Sequence, residues 1–279
     1  MNRFIAEYIE RLKRIEREED VKDLYHWFWE RSDQIRITVE EINRTLSLPA
    51  KCQLKPDLPC LAIGSFNGLL LLNLNPGWRE DLNRLEDAYC RTSPYTYIDL
   101  MENFFARHPE VVGEKGKWWN SALSWIRLLE EWETRFESAE GTDRWAKAQQ
   151  SRLVGGWELF PFHSSKDGLA GLMAHIPWLR ACAIESVKAA IRMSPEILFV
   201  ASKRGWQFVR FDVLGNERWL DSKVGTSRFE TSISYARVGD RTEVIALARQ
   251  FTAHRNFKNE EVLSKVQEFR GRIPKSLQE

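Results

Sequence analysis

Four leucines in succession, inside Gly68-Leu-Leu-Leu-Leu-Asn-Leu-Asn-Pro-Gly77, constrain this chain more than any other stretch. A strand with one face in water alternates polar and apolar residues with a period of two, and this run does not alternate. Both of its faces must be covered, as in a strand of a parallel sheet packed between helices. Pro76-Gly77 breaks the strand, and Asn73 and Asn75 arrive at the broken end with Trp78 close behind. In open α/β sheets ligands bind beyond the carboxyl ends of the strands, so this tip is where a site is expected.

Three further segments repeat the design. Gly156-Trp-Glu-Leu-Phe160 halts at Pro161 and opens into Phe162-His-Ser-Ser165. Ile197-Leu-Phe-Val-Ala201 ends in Ser202-Lys-Arg-Gly205. Glu243-Val-Ile-Ala-Leu-Ala248 ends in Arg249-Gln-Phe-Thr-Ala-His-Arg-Asn256. Helical periodicity lies between and around them. Residues 2–31 read as one charged amphipathic helix, followed by helices over 33–45, 79–89, 117–137 (with Trp118, Trp119, Trp125 and Trp132), 177–193 and 259–269. Residues 48–60 read as a connection, 91–95 as a loop able to fold over the site, and 208–214 and 228–237 as antiparallel edge strands. The expected fold is α/β, a three-layer α/β/α sandwich around a central, mostly parallel four-stranded sheet. Residues 1–58 are expected to be an N-terminal helical extension packed on a core domain of residues 59–279.

A hydrophobic content of 43% with 29% charged residues is that of a globular chain and excludes intrinsic disorder. The net charge of +1 conceals an asymmetry: residues 151–279 carry 20 Lys/Arg against 14 Asp/Glu, while residues 1–150 carry 21 against 26. Lys203, Arg204, Arg249 and Arg255 fall near strand ends, where they suit phosphates, although solvated surface charges look the same in a sequence. Cys52, Cys60, Cys90 and Cys182 have no CxxC spacing, so a zinc site is not indicated and free thiols in a reducing compartment are expected. No secretory segment and no apolar run of about 20 residues is present, which predicts a cytoplasmic protein without a membrane partner. The acidic run Glu16, Glu18, Glu19 and Asp20 argues against an anionic lipid surface as well.

The four tips gather Asn73, Asn75 and Trp78 from the first, Glu158, Phe162 and His163 from the second, Ser202 and Arg204 from the third, and His254 with Arg255 from the fourth. A Walker-type phosphate loop and a GxSxG nucleophile elbow are both absent from the sequence, so NTPase and α/β-hydrolase chemistry lose ground. Amides, one carboxylate, histidines and aromatic faces suit a planar polar ligand.

Asn73-Leu-Asn-Pro-Gly77 at a strand end resembles the first motif of the uracil-DNA glycosylase superfamily, especially its mismatch-specific branch, and Glu158-Leu-Phe-Pro161 resembles the base-reading segment of that family. The resemblance spans roughly residues 60–270. It implies that Asn75 positions the water that attacks the sugar, that His254 supports the departing base, and that Trp78 or Phe162 stacks on the flipped base. It further implies that Asn73, Glu158 and His163 contact the substrate, and that Lys203, Arg204, Arg249 and Arg255 hold DNA, with Arg255 as a wedge into the vacated stack. No metal or cofactor is implied, and the expected state is a monomer.

Three departures from the family pattern stand out. Asn73 replaces the usual glycine, no proline or serine follows His254, and Glu158 stands where an asparagine is common. A carboxylate only accepts unless protonated, so Glu158 points away from uracil and toward an amino-bearing base, a modified cytosine. Bacterial anti-phage relatives of this shape remove glucosylated hydroxymethylcytosine, which implies phage DNA as the partner. Open alternatives are a catalytically inactive nucleic-acid-binding module, a nucleoside or nucleotide-sugar hydrolase, and, for Glu158 itself, a helix cap or an ion pair with an arginine.

Overall fold

The computed structural model describes residues 2–74, 77, 80–107, 123–140, 144–166, 169, 171–225, 230–248 and 259–273. The chain is a mixed α/β protein. Its described α-helices are α1 (Arg3–Leu12), α2 (Glu18–Glu30), α3 (Ser32–Thr45), α4 (Glu80–Cys90), α5 (Pro94–Glu102), α6 (Phe104–Arg107), α7 (Trp132–Ser138), α8 (Arg144–Gln150), α9 (Pro177–Arg192), α10 (Lys203–Gln207) and α11 (Asn259–Arg272). The strands are β1 (Ala62–Gly64), β2 (Leu69–Asn73), β3 (Val154–Glu158), β4 (Ile197–Ala201), β5 (Leu220–Val224), β6 (Thr231–Val238) and β7 (Thr242–Leu247).

The strands form one seven-stranded sheet in the order β1-β3-β2-β4-β7-β6-β5. Strand β4 runs parallel to both β2 and β7, and β6 runs antiparallel to both β7 and β5. Backbone bonds give the remaining directions. Leu69 N–H donates to the Leu153 carbonyl (2.9 Å) and Leu159 N–H to the Asn73 carbonyl (3.0 Å), so the partner numbers rise together and β2 and β3 are parallel. Ser65 N–H donates to Val154 (3.2 Å) and Glu158 N–H to Leu61 (2.7 Å), so β1 runs antiparallel to β3. The expected four-stranded sheet is therefore corrected to a mixed sheet of seven. The four foreseen strands are present, and β6 is the antiparallel strand expected over 228–237, although β5 beyond it takes the edge; β1 and β5 are the unforeseen additions.

The chain divides into two compact units. The first comprises residues 1–63, 73–104 and 157–193. Here α1 buries Phe4, Ile5, Tyr8, Ile9 and Leu12 along one face and packs on α9 and α3, while α2 packs on α5. The single helix expected over 2–31 is broken. Asp20 accepts from the Glu16 and Arg17 backbone N–H groups (both 2.9 Å) and so starts a new helix at Glu18, whose acidic first turn complements the helix dipole. The Arg192 guanidinium donates to the Leu12 and Ile15 carbonyls (2.5 and 2.9 Å), satisfying the end of α1 and the turn beyond it. The loop expected over 91–95 ends at Ser93, which accepts from Thr96 N–H as the N-cap of α5, with Pro94 in the first turn.

The second unit comprises residues 64–72, 105–156 and 194–279. Leu69 to Leu72 of β2 and all five residues of β4 are buried, as an all-apolar strand requires. Each such leucine contributes roughly 1.5–3 kcal/mol relative to exposure. Gly64 has φ +73°, and a Cβ there would stand 2.7 Å from the Phe105 ring and 2.9 Å from the Val154 carbonyl, so only glycine fits. The helix expected over 117–137 is not continuous in its described part. Ser124–Leu128 is a 3₁₀ turn, and Glu131 at φ +52° interrupts the chain before α7. Trp125 is nonetheless core, stacked on Phe199 with ring centroids 5.0 Å apart. The segment 208–214, expected as an edge strand, is instead a π-helix over Phe208–Val213 that follows directly on α10 and buries Phe208 and Val209.

Candidate functional site

The first two strand ends run side by side past the sheet. Beyond the Leu159 bond to Asn73, Phe160 N–H donates to the Leu74 carbonyl (3.1 Å), and Gly77 pairs with Ser164 in a parallel bridge. His163 Nδ1 lies 3.3 Å from the Gly77 carbonyl oxygen and Nε2 lies 3.2 Å from that of Leu58. These contacts carry the pairing of the two segments past the Pro161 stop as far as Ser164, which neither segment's sequence specifies alone.

Asn73 Nδ2 donates to Glu158 Oε1 (2.8 Å), while Glu158 Oε2 is buried with no hydrogen-bond partner. Burial pushes the Glu158 carboxyl up to about 8, against a smaller downward pull from the Asn73 amide. At neutral pH the group is therefore a carboxylic acid, able to donate as well as accept. Neither alternative role holds for its side chain: its polar partner is the Asn73 amide, not a helix terminus or an arginine. The backbone under it is fixed by Ser186, whose hydroxyl donates to the Glu158 carbonyl (2.8 Å) and accepts from Trp157 Nε1 (3.0 Å).

His163 is buried, which holds its imidazole below its ordinary pKa, with Asp57, the Gly77 and Leu58 carbonyls and Asp87 pulling the other way. A neutral ring has one N–H, so it donates to one of the two carbonyls it faces. Beside it is a cavity of about 40 Å³, walled by Asp57, Leu58, Cys60, Glu86, Asp87 and Tyr97 among others, with room for about one water. Burial raises the Glu86 carboxyl, helped by Asp57, and pushes the Cys90 thiol up to about 12. Cys60 is raised likewise by burial and then by Glu158. Both thiols stay protonated at neutral pH and are poor nucleophiles. All four cysteines are free. Among the described residues no group of three or more His, Cys, Asp or Glu is arranged to hold a metal ion.

Of the other foreseen site residues, Phe162 is buried at 3% exposure, so it forms part of the packing under the second tip rather than an open face. Lys203 and Arg204 are exposed at the start of α10 in the second unit, where Ser202 caps the helix by accepting from Gly205 N–H (2.9 Å). Asn75, Trp78, Arg249, His254 and Arg255 lie outside the described residues. Sequence reading missed Tyr25 and Tyr97, buried hydroxyls that bond to the Ala62 and Pro59 carbonyls next to β1. Their partners are 37 and 38 positions away, so no local signal announces them.

No family model, curated protein or solved structure matches the chain. No described helix is long and apolar enough to cross a membrane.

Proposed function

We propose that this chain is a monofunctional DNA glycosylase of the uracil-DNA glycosylase type, built as a three-layer α/β/α sandwich. It hydrolyses the N-glycosidic bond of a flipped-out, modified cytosine and leaves an abasic site. Asn75 orients the attacking water, His254 supports the negative charge on the departing base, and Trp78 stacks on it. Lys203, Arg204, Arg249 and Arg255 hold the phosphate backbone. The reaction needs no metal or Schiff base, and a role in anti-phage defence against DNA carrying glucosylated hydroxymethylcytosine follows from the resemblance. The cell compartment is the cytoplasm.

The observation that carries this reading is the contact between the two motif-bearing strand ends. Segments 85 residues apart in sequence meet through the Asn73 to Glu158 bond, which is what a base pocket shared between a water-positioning tip and a base-reading tip requires. A buried polar pair, one oxygen of which lacks a partner, is also costly unless a ligand uses it.

The test is to incubate the protein with duplexes carrying cytosine, glucosylated hydroxymethylcytosine or uracil and to treat the products with alkali. Alkali-labile breaks at the modified cytosine are expected. Binding without breaks on any duplex would select the inactive nucleic-acid-binding module, and cleavage of free nucleosides alone would select the small-molecule hydrolase.

A further inference from the structure

Two of the places where this chain departs from the glycosylase motifs touch each other. Asn73 stands at a position usually held by glycine, Glu158 at one usually held by asparagine, and the Asn73 amide donates to Glu158 Oε1 at 2.8 Å. That bond makes Oε1 an acceptor, so a proton on the carboxyl sits on Oε2, the buried oxygen that has no protein partner. Resting on the glycosylase reading above, we propose that Asn73 and Glu158 act as one base-reading unit. Glu158 donates from Oε2 to a ring nitrogen of the flipped base, and Asn73 is the positioning residue that fixes which oxygen does so.

The substrate class follows from the pattern of donors and acceptors. An O–H donor beside a carbonyl acceptor matches a base whose pairing edge carries a bare ring nitrogen next to an exocyclic amine. In cytosine and its C5-modified forms these are N3 and N4. Oε2–H donates to N3, and N4–H donates to the remaining lone pair of Oε1. Uracil and thymine carry N3–H instead, which opposes Oε2–H donor against donor. The sequence-based expectation made Glu158 only an acceptor for the amine, and the buried acid changes it into a reader of the ring nitrogen.

The preference depends on the proton. When Glu158 ionises, Oε2 turns a lone pair toward the lone pair of cytosine N3 and becomes an acceptor that suits uracil N3–H. Among the described residues, Cys60 and Tyr25 interact electrostatically with Glu158, and they interact in turn with Glu86 and Cys90 (Cys60) and with Glu102 (Tyr25). Burial raises both Cys60 and Tyr25 well above their ordinary values, so neither changes charge while Glu158 titrates.

The experiment uses the full chain and two otherwise identical duplexes, one with a glucosylated 5-hydroxymethylcytosine and one with a uracil. It reads the ratio of their release rates from pH 6.5 to 9, a quantity in which general effects of pH on the enzyme cancel. At pH 7 the ratio is expected to favour the cytosine by about tenfold or more, and to fall as pH rises through about 8. Glu158→Gln, whose amide is a permanent donor, should make the ratio independent of pH. Asn73→Ala, which removes the one bond that lowers the Glu158 pKa, should move the fall to higher pH.

A wild-type ratio that does not change with pH, or a preference for uracil at pH 7, would overturn the inference and leave the glycosylase reading standing. Absence of release from both duplexes would overturn the glycosylase reading, and this inference with it. A carbon-13 titration of the Glu158 carboxyl decides independently of release. Protonation at pH 7 is expected, and an ionised group at pH 7 would sink the inference even in an active enzyme.

Discussion

Asn73 and Glu158 are joined by a 2.8 Å hydrogen bond between the ends of neighbouring parallel strands. The bond satisfies one carboxyl oxygen and leaves the other buried and unpaired. A charge in that position is strongly disfavoured, so the carboxyl binds a proton that it would release in the unfolded chain. Stability and chemistry are therefore linked through one proton at this residue.

The sign of that linkage gives a stability prediction. The Glu158 pKa is raised from 4.5 to about 8 on folding, so the native state holds more protons than the unfolded state between those values. Its contribution to stability is full below about pH 4.5, declines as pH rises, and is lost above about 8. Glu158→Gln should remove that decline and stabilise the protein at pH 7 by about 3 kcal/mol. Urea unfolding at a series of pH values measures it, and equal slopes for mutant and wild type would contradict it.

His163 carries the opposite sign. Its folded pKa is depressed, so its contribution is present above the ordinary histidine value of 6.5 and is lost as pH falls through the lower, folded value. Its imidazole resonances in nuclear magnetic resonance should titrate below 6.5. Titration at or above that value would mean that Asp57 and the Gly77 and Leu58 carbonyls outweigh burial.

Ser186→Ala removes the hydroxyl that joins Trp157 Nε1 to the Glu158 carbonyl, both in the buried interior. Leaving these groups unpaired should cost about 1–3 kcal/mol in denaturant unfolding with an unchanged m-value. A loss below about 0.5 kcal/mol would show that water replaces the hydroxyl.

In the second unit, Glu243 is 5% exposed and accepts from Arg270 through both oxygens (2.7–3.1 Å) and from Arg237 (3.0 Å). Glu243→Ala strands two largely buried cations and should cost about 3–5 kcal/mol. A change of less than about 1 kcal/mol would mean that the pair is effectively solvated.

The legible parts of the fold were those whose pattern is local. The unalternating Leu69–Leu72 and Ile197–Ala201 runs are buried strands, and the 3.6-residue spacing of Phe4, Ile5, Tyr8, Ile9 and Leu12 is the buried face of α1. Where a single residue switches the backbone, the pattern misled. Asp20 starts α2 inside what looked like one helix, and Glu131 takes a left-handed conformation inside another. The edge strand β5 was missed because its apolar content is low: Asp221 and Lys223 face solvent. At the site, the residue types at the strand ends could be read, but the Asn73 to Glu158 contact could not. It depends on strand order, and it turns the expected acceptor into a donor.

The proposed base excision is directed by Asn75 at the first tip. Mass spectrometry of the free bases released from genomic DNAs with different cytosine modifications tests it most directly, with Asn75→Ala beside the wild type. A modified cytosine base is expected from the wild type, and none from a variant that still binds the same DNA. Equal release by the two proteins, or no base released by the wild type from any of the DNAs, would contradict it.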